Sequence, residues 1–362
     1  RIGAGAGIVG FVVASLILSF YAIVAGWMIA HCLASLLDLA GATAASTWLK
    51  SFGLGRNVLF MLVFMALTIA IISAGVRDGI ERWSSRLMPV LLLTLMALVV
   101  YVLTLDGAME GLRVYLMPDF STALSPRLII NALGSAFFSL SLGVGTMLIY
   151  GSYISDRENL PVAGGLVTAV DIGIAVVAGF LVLPAMYVAL ANGVEIFAAD
   201  GSLLSEDTLI FTVLPELFRT MGLAGGVVSV TFFFLMSVAA LTSSISMLEV
   251  PVAYTIENHG VRRRTAVWVI GSAIAALSVL ILLNFGTLFG LVITVTTRYS
   301  QPLLGFMFCI YVGWIWHRDG LLAELRKGSP DIAGSWFWKI WPWHLRLVCP
   351  AIILVIFIQS VS

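Results

Sequence analysis

The sequence predicts an all-α polytopic membrane protein, and three observations support this prediction. Of its 362 residues, 60% are hydrophobic and only 10% are charged. Its mean hydropathy is +1.08, whereas soluble domains carry about 25% charged residues. Apolar stretches long enough to cross about 30 Å of hydrocarbon as helices recur along the whole chain.

Nine of these stretches are predicted to span the membrane. They lie at 7–36, 57–76, 87–105, 126–155, 161–191, 223–256, 264–284, 286–316 and 340–361. Most Lys and Arg residues fall in connections that are internal if the chain begins inside. The positive-inside rule therefore predicts a multi-pass protein of the cell inner (plasma) membrane, with its amino end inside and its carboxyl end outside.

The fourth span is interrupted at its centre, in Ser139-Leu140-Ser141-Leu142-Gly143-Val144-Gly145. Glycine and serine both weaken a helix, so we expect a break there. Broken backbone at this depth is tolerated where it is buried in protein or lines a cavity. Its half-helix ends suit a carboxylate and a cation. The alternative is a glycine packing face, although Gly143-x-Gly145 lacks the Gly-x-x-x-Gly spacing.

Two later spans carry polar groups. Placing the Asp171 carboxylate of the fifth span in hydrocarbon costs free energy, so we expect it to bind a cation or to carry a proton. The alternative is that Asp171 only packs against a neighbouring helix through a hydrogen bond. In the sixth span Ala239, Thr242 and Ser243 share one helix face and suit a monovalent cation. The alternative is that the two hydroxyl groups bond to carbonyls of their own helix or to a neighbouring helix. Glu249, near the inner end of this span, is expected to be solvated.

Other features predict a lid and exclude several protein classes. Residues 206–215 predict a short amphipathic helix over the outer face. The three cysteines and four histidines are scattered, so neither a disulfide frame nor a zinc site is expected. The basic clusters lack the interleaved aromatic residues of nucleic-acid binding. The spans lack paired aspartates or a Ser/His dyad at matching depth, so we expect no enzyme.

Two motifs together resemble the neurotransmitter:sodium symporters, particularly the prokaryotic amino-acid transporters. They are Phe137–Gly145 and Ala239-x-x-Thr242-Ser243-Ser244. The resemblance implies a leucine-transporter-type inverted-repeat helical bundle, the standard example of broken helices around a midplane site. It further implies one transporter domain over 1–362 that lacks the first two helices and runs from the third to the eleventh. Residues 1–125 would be the remainder of the first repeat, 126–317 the second inverted repeat, and 318–362 the inner loop and last helix.

The same resemblance implies a substrate site. Tyr21 would bond the substrate carboxylate, and Phe138 would close over the substrate from outside. Four residues would line the side-chain pocket: Ile17, Ser141, Val144 and Met247. Their lack of charge favours a neutral, hydrophobic amino acid.

Two sodium sites are also implied, each lacking ligands from the absent first helix. Ser139 and Asp171 would bind one sodium that also touches the substrate carboxylate. The Ala239 carbonyl, Thr242 and Ser243 would bind the second. Chloride is not expected, because Asp171 would supply the negative charge in its place. The chain departs from the family pattern at Arg298 and in having no acidic residue at the start of the eighth span.

We therefore predict sodium-coupled symport of a neutral, hydrophobic amino acid by alternating access. Proton coupling through Asp171 is one alternative. A non-transporting truncated protein or sensor is another. The expected partners are the amino-acid substrate and membrane lipid, without nucleic acid, and no pattern predicts an oligomeric state.

Overall fold

The computed structural model describes residues 2–117, 125–197 and 209–361, and helices account for most of them. The α-helices are α1 (Ile2–Leu39), α2 (Thr43–Lys50), α3 (Leu54–Ser73), α4 (Arg82–Val102), α5 (Ala108–Leu116), α6 (Pro126–Ser139), α7 (Thr146–Tyr153), α8 (Leu160–Ala191), α9 (Leu214–Thr220), α10 (Gly222–His259), α11 (Arg263–Leu283), α12 (Phe285–Ile293), α13 (Gln301–Ile310), α14 (Arg318–Gly328), α15 (Trp336–Trp343) and α16 (Cys349–Val361).

Short π-helices interrupt this series. They cover Val76–Glu81, Leu209–Val213, Thr294–Ser300, Tyr311–Ile315 and His344–Val348. A π-helix inserts an extra residue per turn, and such segments are often found at functional sites. The second and third of them lie in segments that the sequence analysis singled out.

Seven helical segments of the described chain are long and apolar enough to cross a membrane. They are Gly7–Leu39, Leu54–Ser73, Gly79–Val102, Leu160–Ala191, Gly222–His259, Arg263–Leu283 and Trp336–Gln359. The predicted span 126–155 is divided into α6 and α7, whereas the predicted span 286–316 stays helical from Phe285 to Ile315 through α12, α13 and two π-helices. The count of nine spans stays a prediction.

The first half of the broken span ends in a Schellman cap. The Ser141 amide donates to the Phe138 carbonyl at 2.9 Å, and the Leu142 amide donates to the Phe137 carbonyl at 3.0 Å. This paired pattern needs one residue in the left-handed conformation, and Ser141 takes it with φ of 52°. Among the described residues Ser141 is the only non-glycine with positive φ. The predicted interruption is therefore present, at the predicted residues.

Glycines carry the chain from this cap into α7. Gly143 has φ of 73° and Gly145 has φ of 94°, conformations that cost a residue with a Cβ free energy. A Cβ at Gly143 would overlap the Gln301 carbonyl oxygen and would lie 3.1 Å from the Gly305 amide nitrogen. Gly143 thus serves both the turn and the close approach of α13.

The chain divides into two compact units. The first unit comprises Arg1–Tyr21, Thr122–Asp171 and Ile245–Ser362, and the second comprises Ala22–Ser121 and Ile172–Ser244. The first unit contains the broken span, α11 and everything after it. The second contains α3, α4 and the Leu209–Val213 π-helix. The proposed repeat boundaries at 125 and 317 stay a prediction.

In the second unit an aromatic cluster holds the predicted lid segment. Phe211 of the π-helix packs on Trp27 at 5.6 Å and on His31 at 5.1 Å between ring centroids. The buried Arg56 side chain lies over the Phe52 ring at 5.3 Å and donates to the Leu49 carbonyl. Residues 206–208 lie outside the described residues. The remainder of the segment is a π-helix followed by α9, and its action as a lid stays a prediction.

The glycine turn generates a test of stability. We expect Gly143→Ala to lower the free energy of unfolding by about 1–3 kcal/mol, because alanine is strained at positive φ and its Cβ meets the Gln301 backbone. The measurement is the thermal melting of purified protein in detergent. Gly134→Ala is the matched control: Gly134 lies inside α6 with open space around it, so alanine there should raise helix stability. Equal melting of the two variants would contradict the role of Gly143.

Candidate functional site

Ser139 and Asp171 meet beside the break. Ser139 is the last residue of α6, and Asp171 lies within the long helix α8. The Ser139 hydroxyl donates to Asp171 Oδ1 at 2.8 Å. Asp171 is half-buried, and among the described residues it forms no ion pair. The pair supplies hard oxygen atoms of the kind that bind monovalent and other hard cations.

Helix α1 passes close to the broken backbone. A Cβ built on Gly10 would lie 3.7 Å from the Val144 carbonyl oxygen. Ile17 and Tyr21 follow Gly10 by seven and eleven residues and so lie on the same face of the helix. Ile17 is buried, with 1% of its surface exposed, and Tyr21 is half-buried. The structure thus brings the predicted α1 residues to the helix face that approaches the break.

The remaining predicted pocket residues differ in exposure. Val144 is buried in the turn, whereas Phe138 is 43% exposed. Met247 is buried and lies three residues before Val250. The Val250 side chain lies 3.3 Å from the place that a Cβ atom added to Gly145 would occupy. Ser141 is half-buried in its left-handed conformation. Their contact with a substrate stays a prediction.

The three residues predicted for the second sodium are on α10, in the second unit. The Thr242 hydroxyl donates to the Ala239 carbonyl at 2.9 Å, which is the helix-bonded alternative that the sequence left open. Ala239 also lines an apolar cavity of about 270 Å³ within this unit. The neighbouring Ser244 serves packing, because its hydroxyl lies 2.8 Å from that of Thr68 on α3. The second sodium site stays a prediction.

The expectation that Glu249 is solvated is wrong. Glu249 is fully buried, and Arg263 at the start of α11 donates to both its carboxylate oxygens, at 2.9 and 2.6 Å. Tyr153 at the end of α7 donates to the same carboxylate at 2.5 Å. The error arose because α10 continues ten residues beyond Glu249, to His259. The Arg262-Arg263-Arg264 run was the available signal for a partner.

Sequence reasoning also missed Gln301. Its side chain is buried, and its Nε2 donates to the Leu142 carbonyl at 2.9 Å. Arg298 three residues earlier lies exposed in the Thr294–Ser300 π-helix. Among the described residues no three His, Cys, Asp or Glu side chains are grouped for a metal. A cation at the break would therefore need hydroxyl and backbone oxygens beside Asp171.

A family model described as the sodium:neurotransmitter symporter family matches residues 48–362. The chain belongs to the sodium:neurotransmitter symporter family. It is 31% identical to the sodium-dependent transporter YhdH of Bacillus subtilis over 98% of this chain and 79% of that protein. It is 32% identical to a sodium-dependent transporter of Haemophilus influenzae over 98% of this chain and 78% of that protein.

The crystal structure of MhsT in complex with L-phenylalanine matches the fold with a TM-score of 0.79 and 33% identity. The match covers 98% of this chain and 80% of MhsT. This symporter therefore has the leucine-transporter fold that the resemblance implied. It is an integral membrane protein of a sodium-coupled transporter family and not an enzyme.

The buried ion pair generates a second test. Glu249→Gln removes the negative charge and leaves the partly buried Arg263 without its partner. Breaking a fully buried ion pair costs about 3–5 kcal/mol of stability. The cost should be smaller here, since 23% of the Arg263 side chain is exposed. We expect a lower melting temperature in detergent. Glu257→Gln, an exposed position on the same helix, should melt like the native protein. A melting temperature unchanged by Glu249→Gln would contradict the structural role of the pair.

Proposed function

We propose that this symporter couples the inward movement of sodium to the uptake of a neutral, hydrophobic amino acid by alternating access. The observation that carries the proposal is the contact between Ser139 and Asp171 at the break in the fourth span. A carboxylate in a membrane span is costly and marks a functional site by default. This carboxylate is held by a neutral hydroxyl, and among the described residues no cationic side chain is paired with it.

The contrast with Glu249 supports this assignment. Glu249 is neutralised by Arg263 and bonded by Tyr153, so its lone pairs are occupied and it is suited to hold helices together. Asp171 has a hydroxyl donor and an intermediate exposure. Of these two carboxylates, Asp171 is the one available to bind a cation. A sodium ion bound there would be held by Asp171 and Ser139.

The substrate assignment depends on the residues around the turn. Two buried residues, Ile17 and Val144, are apolar and uncharged. Tyr21 adds a hydroxyl on the α1 face that approaches the break, and a hydroxyl can donate to a carboxylate. The related MhsT was crystallised with L-phenylalanine, which agrees in chemical class with a pocket for an apolar side chain. We propose that Phe138, exposed at the end of α6, covers the substrate.

The remaining assignments follow the same reasoning. We place the second sodium at the Ala239 carbonyl, Thr242 and Ser243, and we assign the negative charge of Asp171 to the role that chloride plays in chloride-dependent relatives. The protein would lie in the cell inner membrane, with the chain's amino end inside. Two sodium ions moving through 100 mV would supply about 2.3 kcal/mol each. That work is sufficient for substantial accumulation.

Sodium coupling is tested by uptake of labelled neutral amino acids in cells that express the protein, in sodium and in an equal concentration of potassium. We expect uptake in sodium alone. Asp171→Asn should abolish it or make it depend on chloride, because the variant lacks the negative charge beside the cation. Asp106→Asn is the control, since it makes the same chemical change at an exposed residue beyond α4. Uptake that is equal in both salts and collapses with the proton gradient would instead establish proton coupling.

Substrate class is tested by competition. Excess L-phenylalanine or L-leucine should inhibit labelled uptake, whereas L-glutamate and L-lysine should not, because the pocket residues supply no charge to pair with a charged side chain. Val144→Phe should weaken competition by bulky amino acids more than competition by L-alanine, since the larger ring fills the turn. Inhibition by L-glutamate or L-lysine as strong as that by L-phenylalanine would contradict the assignment.

A further inference from the structure

Gln301 is placed against the break by both its backbone and its side chain. It is the first residue of α13 and follows the Thr294–Ser300 π-helix directly. Its side chain is 2% exposed, and a buried primary amide requires hydrogen-bond partners. The partners that the structure supplies are backbone carbonyls of the broken span.

Those carbonyls lie on either side of Ser139. Gln301 Nε2 donates to the Leu142 carbonyl at 2.9 Å and approaches the Phe137 carbonyl at 3.4 Å. Phe137 precedes Ser139 by two residues, and Leu142 follows it by three. The two contacts therefore tie together the last turn of α6 and the irregular backbone that leaves it.

Small residues bring α13 close enough for this arrangement. A side chain at Gly143 would overlap the Gln301 carbonyl, and one at Gly305 would overlap the Phe137 ring. The approach thus uses a glycine on each side, one in the turn and one in α13. A single Cβ at either position would move Gln301 away from the carbonyls.

We propose that Gln301 is a positioning residue for sodium binding, which acts by fixing the backbone that carries Ser139. This inference rests on the proposed function, in which Ser139 and Asp171 hold the first sodium. The Ser139 hydroxyl reaches Asp171 at 2.8 Å only while the end of α6 keeps its present course. Gln301 donates to that end and touches neither Ser139 nor Asp171 in any contact that the structure shows.

The hydrogen-bonding chemistry of the Gln301 amide suggests an informative substitution. Gln301→Glu keeps the size and shape of the side chain and replaces the two N–H donors by an oxygen. An ionised carboxylate would face carbonyl oxygens and repel them, whereas a protonated carboxyl group has one O–H to donate. Only the protonated form can donate to the two carbonyls of the break. The variant should therefore regain function as the pH falls.

The first measurement is the half-saturating sodium concentration for uptake of a labelled neutral amino acid, at pH 8 and at pH 5.5. We expect Gln301→Glu to raise it about tenfold or more at pH 8, the cost typical of losing a residue that orients a metal ligand. The increase should shrink at pH 5.5, and maximal uptake at saturating sodium should fall much less. Gln301→Met, which cannot donate at any pH, should show the increase at both values.

Gln359→Glu is the control, because it makes the same chemical change at an exposed residue of α16. It should match the native protein at both pH values. An unchanged half-saturating sodium concentration in Gln301→Glu would overturn the proposal. A loss of maximal uptake that is equal at both pH values, with unchanged sodium dependence, would also overturn it, since that result indicates a general packing role.

A second measurement separates this inference from the proposed function. Melting of purified Gln301→Glu in sodium-free buffer should occur at a lower temperature at pH 8 than at pH 5.5. The sign follows because the folded state favours the protonated carboxyl group, which can donate to the carbonyls, and so binds more protons than the unfolded state; stability therefore falls as pH rises. If the native protein shows no sodium dependence, the proposed function fails while this result can still hold. A pH response no larger than that of Gln359→Glu would overturn the positioning role whatever the transport result.

Discussion

The structure depends on one constraint: backbone amides and carbonyls inside hydrocarbon need partners within the protein. The fourth span breaks at mid-length, so its freed groups have to be satisfied locally. Two amides of the turn, those of Ser141 and Leu142, return to carbonyls of α6, and Gln301 reaches the Leu142 carbonyl from α13. Because Gln301 reaches the turn from α13, that helix has to approach the broken span closely, and a glycine stands at each point of contact, Gly143 and Gly305.

This constraint also explains why the ionisable groups divide into two kinds. Glu249 has a cation, Arg263, and a phenol, Tyr153, for partners, and removing either member of the ion pair leaves the other charge without its partner. Disturbing such an ion pair costs folding stability, so its role is structural. Asp171 stands instead beside an irregular backbone, with the Ser139 hydroxyl as its donor. A hydroxyl can turn its hydrogen away and offer its lone pairs to a cation together with the carboxylate, whereas a guanidinium cannot.

The sequence predicted those features that follow from local composition. The break was predictable because glycine and serine disfavour helix wherever they cluster, and the contact of Ser139 with Asp171 was implied by the family resemblance. The partner of Glu249 was not predictable, because it depends on how far α10 extends and on which arginine of a run of three faces it. Gln301 was missed for the same reason: its role arises from a tertiary contact across more than 150 residues. The π-helices leave no signal in hydrophobic periodicity.

The run Thr242-Ser243-Ser244 directs neighbouring hydroxyl groups to different sides of α10. Successive residues on a helix point about 100° apart, so Ser244 faces a different neighbour from Thr242. The Ser244 hydroxyl pairs with that of Thr68, and this contact joins α10 to α3 in the second unit. The Thr242 hydroxyl donates to the Ala239 carbonyl, and the other lone pair of that carbonyl accepts the backbone amide of the next helical turn. Helix bonding and cation binding are therefore alternatives at Thr242, because a cation held by the two proposed ligand atoms requires this hydroxyl to turn its hydrogen away from the carbonyl.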